Sequence, residues 1–437
     1  MLERLKTVTL VLLLLSAVCL LVISLTMGVQ GTEFDLLDTL RGWLPQKNQP
    51  VSQSIAADTA VFPRKIGVAG ENGLYTPLNE EDYTALLSQV SPIFQEAVGS
   101  AGEMRAAEAR QVLPLLERNV IYFCYDTPVP FYLLQAWTGS QKVSAYDLLV
   151  QSAAAVLLEQ QVCLAVCTPG GMYYLFDTAA DADTLKNICG GLQQSNAVFA
   201  FQRSDCAVLM GDEIVATTGA FYPVYTLQAP AYVAGGELPR EVLQSFALNP
   251  YLTKVYTDAS GALVYVEGFH MLLVQENGDL SFETTMDAAG IDLSLPAAAS
   301  ARQESIYVCQ AVHTVMDAVW SAAGASGRLS LEQITAGETA GSYTLSFRAH
   351  TGGLFWEDTT AGRAHVTVEG GVITAVTMSP RQLHQQETAA VIPYLQSVAA
   401  LPQDARQERL CPRCLWKDEL LTPAMCRIRE EDANGVG

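Results

Sequence analysis

The sequence predicts an α+β fold: an N-terminal transmembrane helix, then an elongated, multi-domain exterior of mixed, largely antiparallel sheets with packed helices. Three observations lead there. Residues 7–29 (TVTLVLLLLSAVCLLVISLTMGV) carry no charged side chain. Beyond them, short apolar runs alternate with period 2 between Gly, Asn and Pro turns. Helix-period stretches fall between groups of such runs, not in strict βαβ alternation, which favours α+β with antiparallel sheets.

A helix over residues 7–29 is about 34 Å long, enough to cross a hydrocarbon core of roughly 30 Å. Residues 1–6 are then a cytoplasmic stub, because Arg4 and Lys6 flank the span on its N-terminal side. The bulk of the chain is extracytoplasmic, and the expected localisation is a single-pass cell-membrane protein. A cleaved signal peptide would have a shorter apolar region and a small-x-small cleavage site, and SLTMGVQG is a poor one. Lipoprotein processing at Cys19 is disfavoured by Val18 before it and by the apolar sequence after it. Thr9, Leu13, Ser16, Ala17, Leu20 and Ser24 fall within an arc of about 100° on this helix. Small and hydroxylated residues let transmembrane helices approach closely, so this stripe is the candidate contact face for a partner helix. The alternative is that these hydroxyls bond back to their own turn.

Composition excludes some classes. The formal net charge is −21, which makes the chain a poor nucleic-acid binder, since phosphate contacts need clustered Lys and Arg. Half of the residues are hydrophobic, so the chain folds; it is not a disordered acidic tail.

Along the chain, 30–60 reads as a membrane-proximal linker, 61–204 as a first α+β domain, 205–298 as a central domain and 299–437 as a C-terminal α+β domain. In the first, RKIGVAG is a strand. Asn79 is a helix N-cap with Asp82 at N3, ahead of Tyr83, Leu86, Leu87, Val90, Phe94 and Val98 at helical spacing, with a kink or break expected at Pro92. The cluster Glu80, Glu81, Asp82 is accounted for by its place in that helix's first turn. A second helix is expected from Glu103 to Pro114, then a strand at NVIYFCYD, a helix at SAYDLLVQS, two strands at VCLAVC and MYYLFD joined by the TPGG turn, and a helix at DADTLKNICGGL. In the central domain, VYTLQA is a strand and LPREVLQSF a helix. YVEGFHMLLVQENGDLSFETT is a hairpin, with Asn277-Gly278 as a two-residue type I′ turn. SLPAAASARQ is the linker into the third domain. That domain opens with a helix over 304–323 whose apolar stripe is Cys309, Val312, Val315, Met316 and Val319. A strand at SYTLSFRA, a hairpin turning at Gly370-Gly371, a helix over 380–400 and a closing strand pair, RLCPRCLW and AMCRIRE, follow.

Catalytic signatures are sparse. No GxSxG, HExxH, GxGxxG or phosphate-loop pattern occurs. The five histidines (His270, His313, His350, His365, His384) are scattered singly. Glu357-Asp358 after GLFW reads as a turn leaving a strand, with an acidic binding site as the alternative. Among ten cysteines, Cys163 and Cys167 share one strand face and Cys124 lies in an apolar run, all reading as small buried hydrophobes. Cys411, Cys414 and Cys426 form the only cluster: a disulfide or thiol pair across a hairpin is preferred, with half a zinc site or a redox pair as alternatives. No catalytic residue, resident metal or cofactor is expected.

The ordered pieces resemble the YycH/YycI regulators of the WalK (YycG) sensor histidine kinase of Gram-positive bacteria. The stretches that carry the resemblance are LLERNVIYFCYDTPVPFYLL in the first domain and VLQSFALNPYLTKVYTDASGALVYVEGFHMLLVQENGDLSFET in the second. In the third they are SYTLSFRAHTGGLFWED with HVTVEGGVITAVTMS, and LLTPAMCRI near the end. YycH is the better fit because the chain has room for three units; the CPRC element departs from the pattern. The resemblance implies a non-enzymatic membrane-anchored regulator of a two-component system controlling cell-wall metabolism. Its partners would be the transmembrane region of a sensor histidine kinase and a second YycH/YycI-type protein. The reading weighed against it is an extracytoplasmic module that binds a ligand or cell-wall fragment.

Overall fold

The computed structural model describes residues 60–137, 146–191, 195–202, 214–217, 220–285, 290–357, 360–391, 409–417 and 420–428. The N-terminal apolar segment, the stub and the linker lie outside them. Among the described residues no helix is long and apolar enough to cross a membrane.

Two large sheets dominate. The first is built from β1 (Lys65–Gly70), β2 (Gly73–Tyr75), β3 (Met104–Ala107), β4 (Val120–Pro130), β5 (Leu149–Leu158), β6 (Gln161–Cys167), β7 (Tyr173–Asp177), β8 (Ala197–Phe199) and β9 (Val215–Thr217). Their order is β3-β7-β6-β5-β4-β1-β2-β8-β9, antiparallel at every pairing. Helices α1 (Glu80–Gly99), α2 (Ala109–Val112), α3 (Phe131–Trp137) and α4 (Ala182–Gly190) belong to this half. Strand β4 is apolar on both faces: Ile121, Phe123 and Tyr125 join the helix-covered core, while Val120, Tyr122 and Cys124 join a smaller cluster on the far side. A strand covered on both faces reads as a continuous apolar run, as VIYFCY does.

After α5 (Ala231–Gly235), α6 (Arg240–Ser245) and α7 (Ala301–Ala322) are counted, the rest of the described chain is mostly strand. In chain order these are β10 (Ala220–Gln228), β11 (Lys254–Thr257), β12 (Leu263–Glu267), β13 (His270–Val274), β14 (Leu280–Thr284), β15 (Ile291–Asp292), β16 (Arg328–Ala336) and β17 (Ser342–Thr351). There follow β18 (Leu354–Glu357), β19 (Arg363–Glu369), β20 (Val372–Met378), β21 (Gln382–Val391), β22 (Arg409–Lys417) and β23 (Leu420–Ile428). They form one sheet in the order β11-β12-β13-β14-β20-β19-β17-β18-β22-β23-β10-β21, with β15 on β20 and β16 on β17. The β18–β22 pairing is parallel. The fold is therefore mixed α+β with large, mainly antiparallel sheets. Residues 220–292 and 301–428, expected as separate central and C-terminal domains, share this sheet, and the first sheet runs on to Thr217. One apolar core joins the halves, from Ile66 and Phe94 through Phe282 to Met316, Phe347 and Leu421.

Several local readings match. Asn79 caps α1 by accepting from the Asp82 backbone N–H at 2.8 Å, and Asp181 caps α4 in the same way through Thr184. Cys309, Val312, Met316 and Val319 of the expected α7 stripe are buried, while Val315 is half-buried. Gly370 and Gly371 both have positive φ, 58° and 83°, at the β19–β20 turn, as a type I′ turn requires.

Others need correction. The helix expected at 103–114 is the edge strand β3 followed by the single turn α2, and Pro114 lies in a 3-10 turn, Leu113–Glu117. At SAYDLLVQS the chain is strand from Leu149 onward. There β5 pairs with β4 on one side and β6 on the other, and that pairing outweighs the local helix propensity. The helix expected over 380–400 is strand β21 as far as Val391, because Gln382–Val391 pairs along the whole of β10. α1 runs through Pro92 without interruption. The turn at Asn277-Gly278 is a three-residue loop, not a two-residue one: Gln275 N–H donates to the Asp279 carbonyl, and Gly278 alone takes positive φ, 88°.

Candidate functional site

The described chain begins inside the junction between the two sheets. Ala60, Val61 and Phe62 are buried. The Ala60 carbonyl accepts from Leu331 N–H at 2.7 Å and Phe62 N–H donates to Ser330 Oγ at 3.1 Å, so this segment is tied to β16 before it enters β1. The opposite side of the junction is the β17–β18 turn. Gly352 and Gly353 adopt φ of 60° and 80°, which only glycine does without strain. Gly352 N–H donates to the Glu80 carboxylate at the start of α1. Tyr83, on the next turn, donates its hydroxyl to the Pro63 carbonyl at 2.7 Å.

A buried ionic group sits beside it. Arg348 on β17 faces Asp126 of β4 at 3.4 Å and also pairs with Glu332 and Glu357. Arg363 reaches Glu332 at 3.5 Å. Two of the carboxylates come from irregular strand. Glu332 is the extra residue of a bulge between Leu331 and Gln333, and Asp126 lies where the β4–β5 register breaks between Cys124 and Val129. A bulge re-aims a side chain that regular alternation would turn away. The void beside the group, about 10 Å³, is lined by Asp126, Glu332, Arg348 and Phe355. That is the size of one water molecule, so the group has the shape of a structural tie, with no room for a substrate. A second cavity of about 50 Å³, lined by Leu87, Phe94, Phe123, Leu134 and Trp137, is apolar and also small.

His350 completes the junction. It is fully buried, with ring centroids of Phe62, Phe355 and Tyr83 at 5.0, 5.2 and 5.8 Å. Its pKa is pushed down to about 3, first by burial and then by the charge of Arg328. The same ring in an unfolded chain titrates near 6.5. As pH falls below about 6.5 the unfolded chain gains a proton that the native chain refuses until about 3. The stability held above 6.5 is therefore lost progressively toward pH 3, at up to about 1.4 kcal/mol per pH unit. Urea unfolding at pH 7.5 and 5.0 is expected to show the native sequence losing about 2 kcal/mol more than His350→Leu over that interval. Equal losses would show that His350 is not the titrating group.

In the second sheet, two motifs that carry the family resemblance meet. The Glu267 carboxylate accepts from Asn249 N–H at 2.5 Å and from Thr253 Oγ1 at 3.1 Å, joining the VEG step of β12 to the FALNP step after α6. This tie presents Tyr251 and Leu252 to solvent, with Arg240 over the Tyr251 ring at 5.5 Å. Strand β11 is exposed along its length, and Val255, Tyr256 and Phe269 extend the apolar surface. β11 is also the last strand of its sheet, so it leaves main-chain groups open to another strand.

Thr9, Leu13, Ser16, Ala17, Leu20 and Ser24 lie outside the described residues. Cys411 and Cys426 stand directly opposite each other in the β22–β23 ladder, while Cys414 is opposite Pro423 and buried. Burial pushes the Cys414 thiol up to about 12. Among the described residues no three of His, Cys, Asp and Glu are grouped so as to hold a metal ion. Glu357 is the last residue of β18, with its carboxylate on Arg348, and Asp358 lies outside the described residues. Sequence reasoning passed over Arg348, Asp126, Glu332 and Glu267. The available signal for Asp126 was a charged residue closing the apolar run VIYFCYD, which marks a buried pair or a site.

Fold and junction together define a two-sheet α+β protein whose N-terminal lead-in is clamped where the sheets meet. No protein-family model matches the sequence, and no curated protein matches it. The fold is YycH-like: it is similar to the crystal structure of YycH from Bacillus subtilis with a TM-score of 0.52, at 9% sequence identity, covering 85% of this chain and 95% of that one.

Proposed function

We propose that this chain is a membrane-anchored, extracytoplasmic accessory protein of a two-component sensor histidine kinase controlling cell-wall metabolism. It acts without catalysis, through contacts of its transmembrane segment and its folded body. The observation that carries this reading is the YycH-like fold across 85% of the chain, set behind an uncharged apolar segment at residues 7–29. The geometry of the junction supports a mechanism. Ala60–Phe62, the first described residues after the linker, are held by both sheets. Any partner that shifts the body therefore shifts Ala60–Phe62 with it. The exposed edge at β11 suits contact with a second extracytoplasmic protein, such as another YycH/YycI-type chain.

A spanning helix that packs on a kinase helix needs only about 1–3 kcal/mol of differential binding to change a two-state equilibrium 5- to 150-fold. Replacing residues 7–29 by an unrelated spanning helix, with the exterior intact and correctly placed, is expected to change a reporter of the kinase's regulon at least about fivefold. Unchanged output would reject the transmembrane mechanism. Site-specific crosslinking from positions 16 and 24 should capture the kinase's membrane region on the same helix face.

A further inference from the structure

We propose that Cys411 and Cys426 form a cross-strand disulfide that closes the C-terminal ribbon, and that Cys414 takes no part in it. The three cysteines look like one cluster in the sequence, but the ribbon separates them. β22 and β23 pair without a register shift from Arg409↔Ile428 to Lys417↔Leu420, and this brings Cys411 directly opposite Cys426. Directly opposed residues of an antiparallel pair have Cα atoms about 4.5–5.5 Å apart, inside the range that a disulfide spans. Cys414 is three residues from Cys411, so strand alternation sends it to the other face. It is 1% exposed there, within the core that contains Leu421 and Trp356.

The position of the pair gives the bond a purpose. Near its turn the ribbon is supported on both sides: β22 pairs with β18 at Cys414 and Leu415, and β23 pairs with β10 at Leu420 and Leu421. Pro412 and Pro423, which have no N–H to donate, lie within the two strands without shifting their register. On the side away from the turn, residues 409–413 and 424–428 pair only with each other among the described residues. The cysteine pair lies in this overhanging half, where a covalent link substitutes for lateral neighbours. The ribbon also joins β10 and β21 to the rest of the sheet, so its integrity supports the attachment of that edge.

The oxidant required is a low-molecular-weight or protein disulfide. One cysteine thiolate attacks it and releases one thiol. The second cysteine thiolate then attacks the mixed disulfide and releases the other. Two protein thiols lose two electrons and two protons in forming one S–S bond, and one oxidant disulfide becomes two thiols. Formation in the cell rests on the extracytoplasmic placement proposed above; the pairing itself does not.

The test uses the full-length chain in detergent, equilibrated with glutathione disulfide, alkylated while folded, and digested without reduction. The expected product is a peptide pair linked through Cys411 and Cys426, with Cys414 alkylated only after unfolding. The link should be lost in Cys411→Ser and in Cys426→Ser and kept in Cys414→Ser. Alkylation of both Cys411 and Cys426 in the folded, oxidised chain, or a link to Cys414, would overturn the proposal. If the link forms in the purified chain but both thiols are recovered reduced from intact cells, the pairing stands and the placement outside the membrane fails.

Discussion

Replacing Arg348 by Ala is expected to destabilise the protein by about 3–5 kcal/mol, the cost of removing one partner from a buried ionic group. Arg348 has 8% of its side chain exposed and Asp126 4%, and Glu332 and Glu357 lie against the same guanidinium. The variant takes away a charge while the carboxylates it faced stay where β4, β16 and β18 hold them. Arg363 reaches Glu332 on the same side of the group. Urea unfolding measures the loss, and a double-mutant cycle with Asp126→Asn separates the pair from the rest. Asp126→Asn should recover part of the loss in the Arg348→Ala background, because it removes a charge that Arg348 no longer offsets. A loss below about 1 kcal/mol would place Arg348 among ordinary surface ion pairs and remove the tie between the sheets.

The second large effect is at the turn that docks the second sheet on the first. A Cβ on Gly353 would lie 2.4 Å from the Arg64 carbonyl oxygen and 3.0 Å from the Tyr83 ring, at a φ of +80°. Neither the conformation nor the backbone contact can relax cheaply, so Gly353→Ala is expected to cost about 3 kcal/mol or more. Gly370→Ala is the control. Its φ is +58°, but a Cβ there meets nothing within 4 Å, so it should cost only about 1–2 kcal/mol of backbone strain. The excess in Gly353→Ala measures the fit of the junction. Equal losses in the two variants would show that the turn does not bear on the first sheet. In cells carrying the regulon reporter, the proposed function predicts that Gly353→Ala lowers regulatory output more than Gly370→Ala at matched protein levels.

Much of the fold was legible because it is coded locally. The cap at Asn79, the α7 stripe, the Gly370-Gly371 turn and the closing ribbon each depend on residues within a few positions of one another. Three of the failures share one cause. Met104–Ala107, Leu149–Leu158 and Gln382–Val391 are rich in Ala, Gln and Leu, which favour helix when nothing else decides. Each became strand by pairing with a segment away from it in the chain, β3 with β7, β5 with β4 and β21 with β10, and β5 also forms a tight hairpin with β6. Long-range pairing outweighs a propensity worth only tenths of a kcal/mol per residue.

The candidate site divides in the same way. By itself the sequence determined the apolar segment at 7–29, the acidic balance, the scarcity of catalytic motifs and the resemblance in order along the chain. These are properties of composition and spacing, and they need no third dimension. Only the tertiary structure decided that Arg348 meets Asp126 across 222 positions, that Glu80 holds the turn at Gly352, and that Cys411 faces Cys426 while Cys414 faces the core. A charge or a thiol shows its type in the sequence, but its partner is set by which strands lie side by side. That is decided by burial and pairing summed over the whole chain.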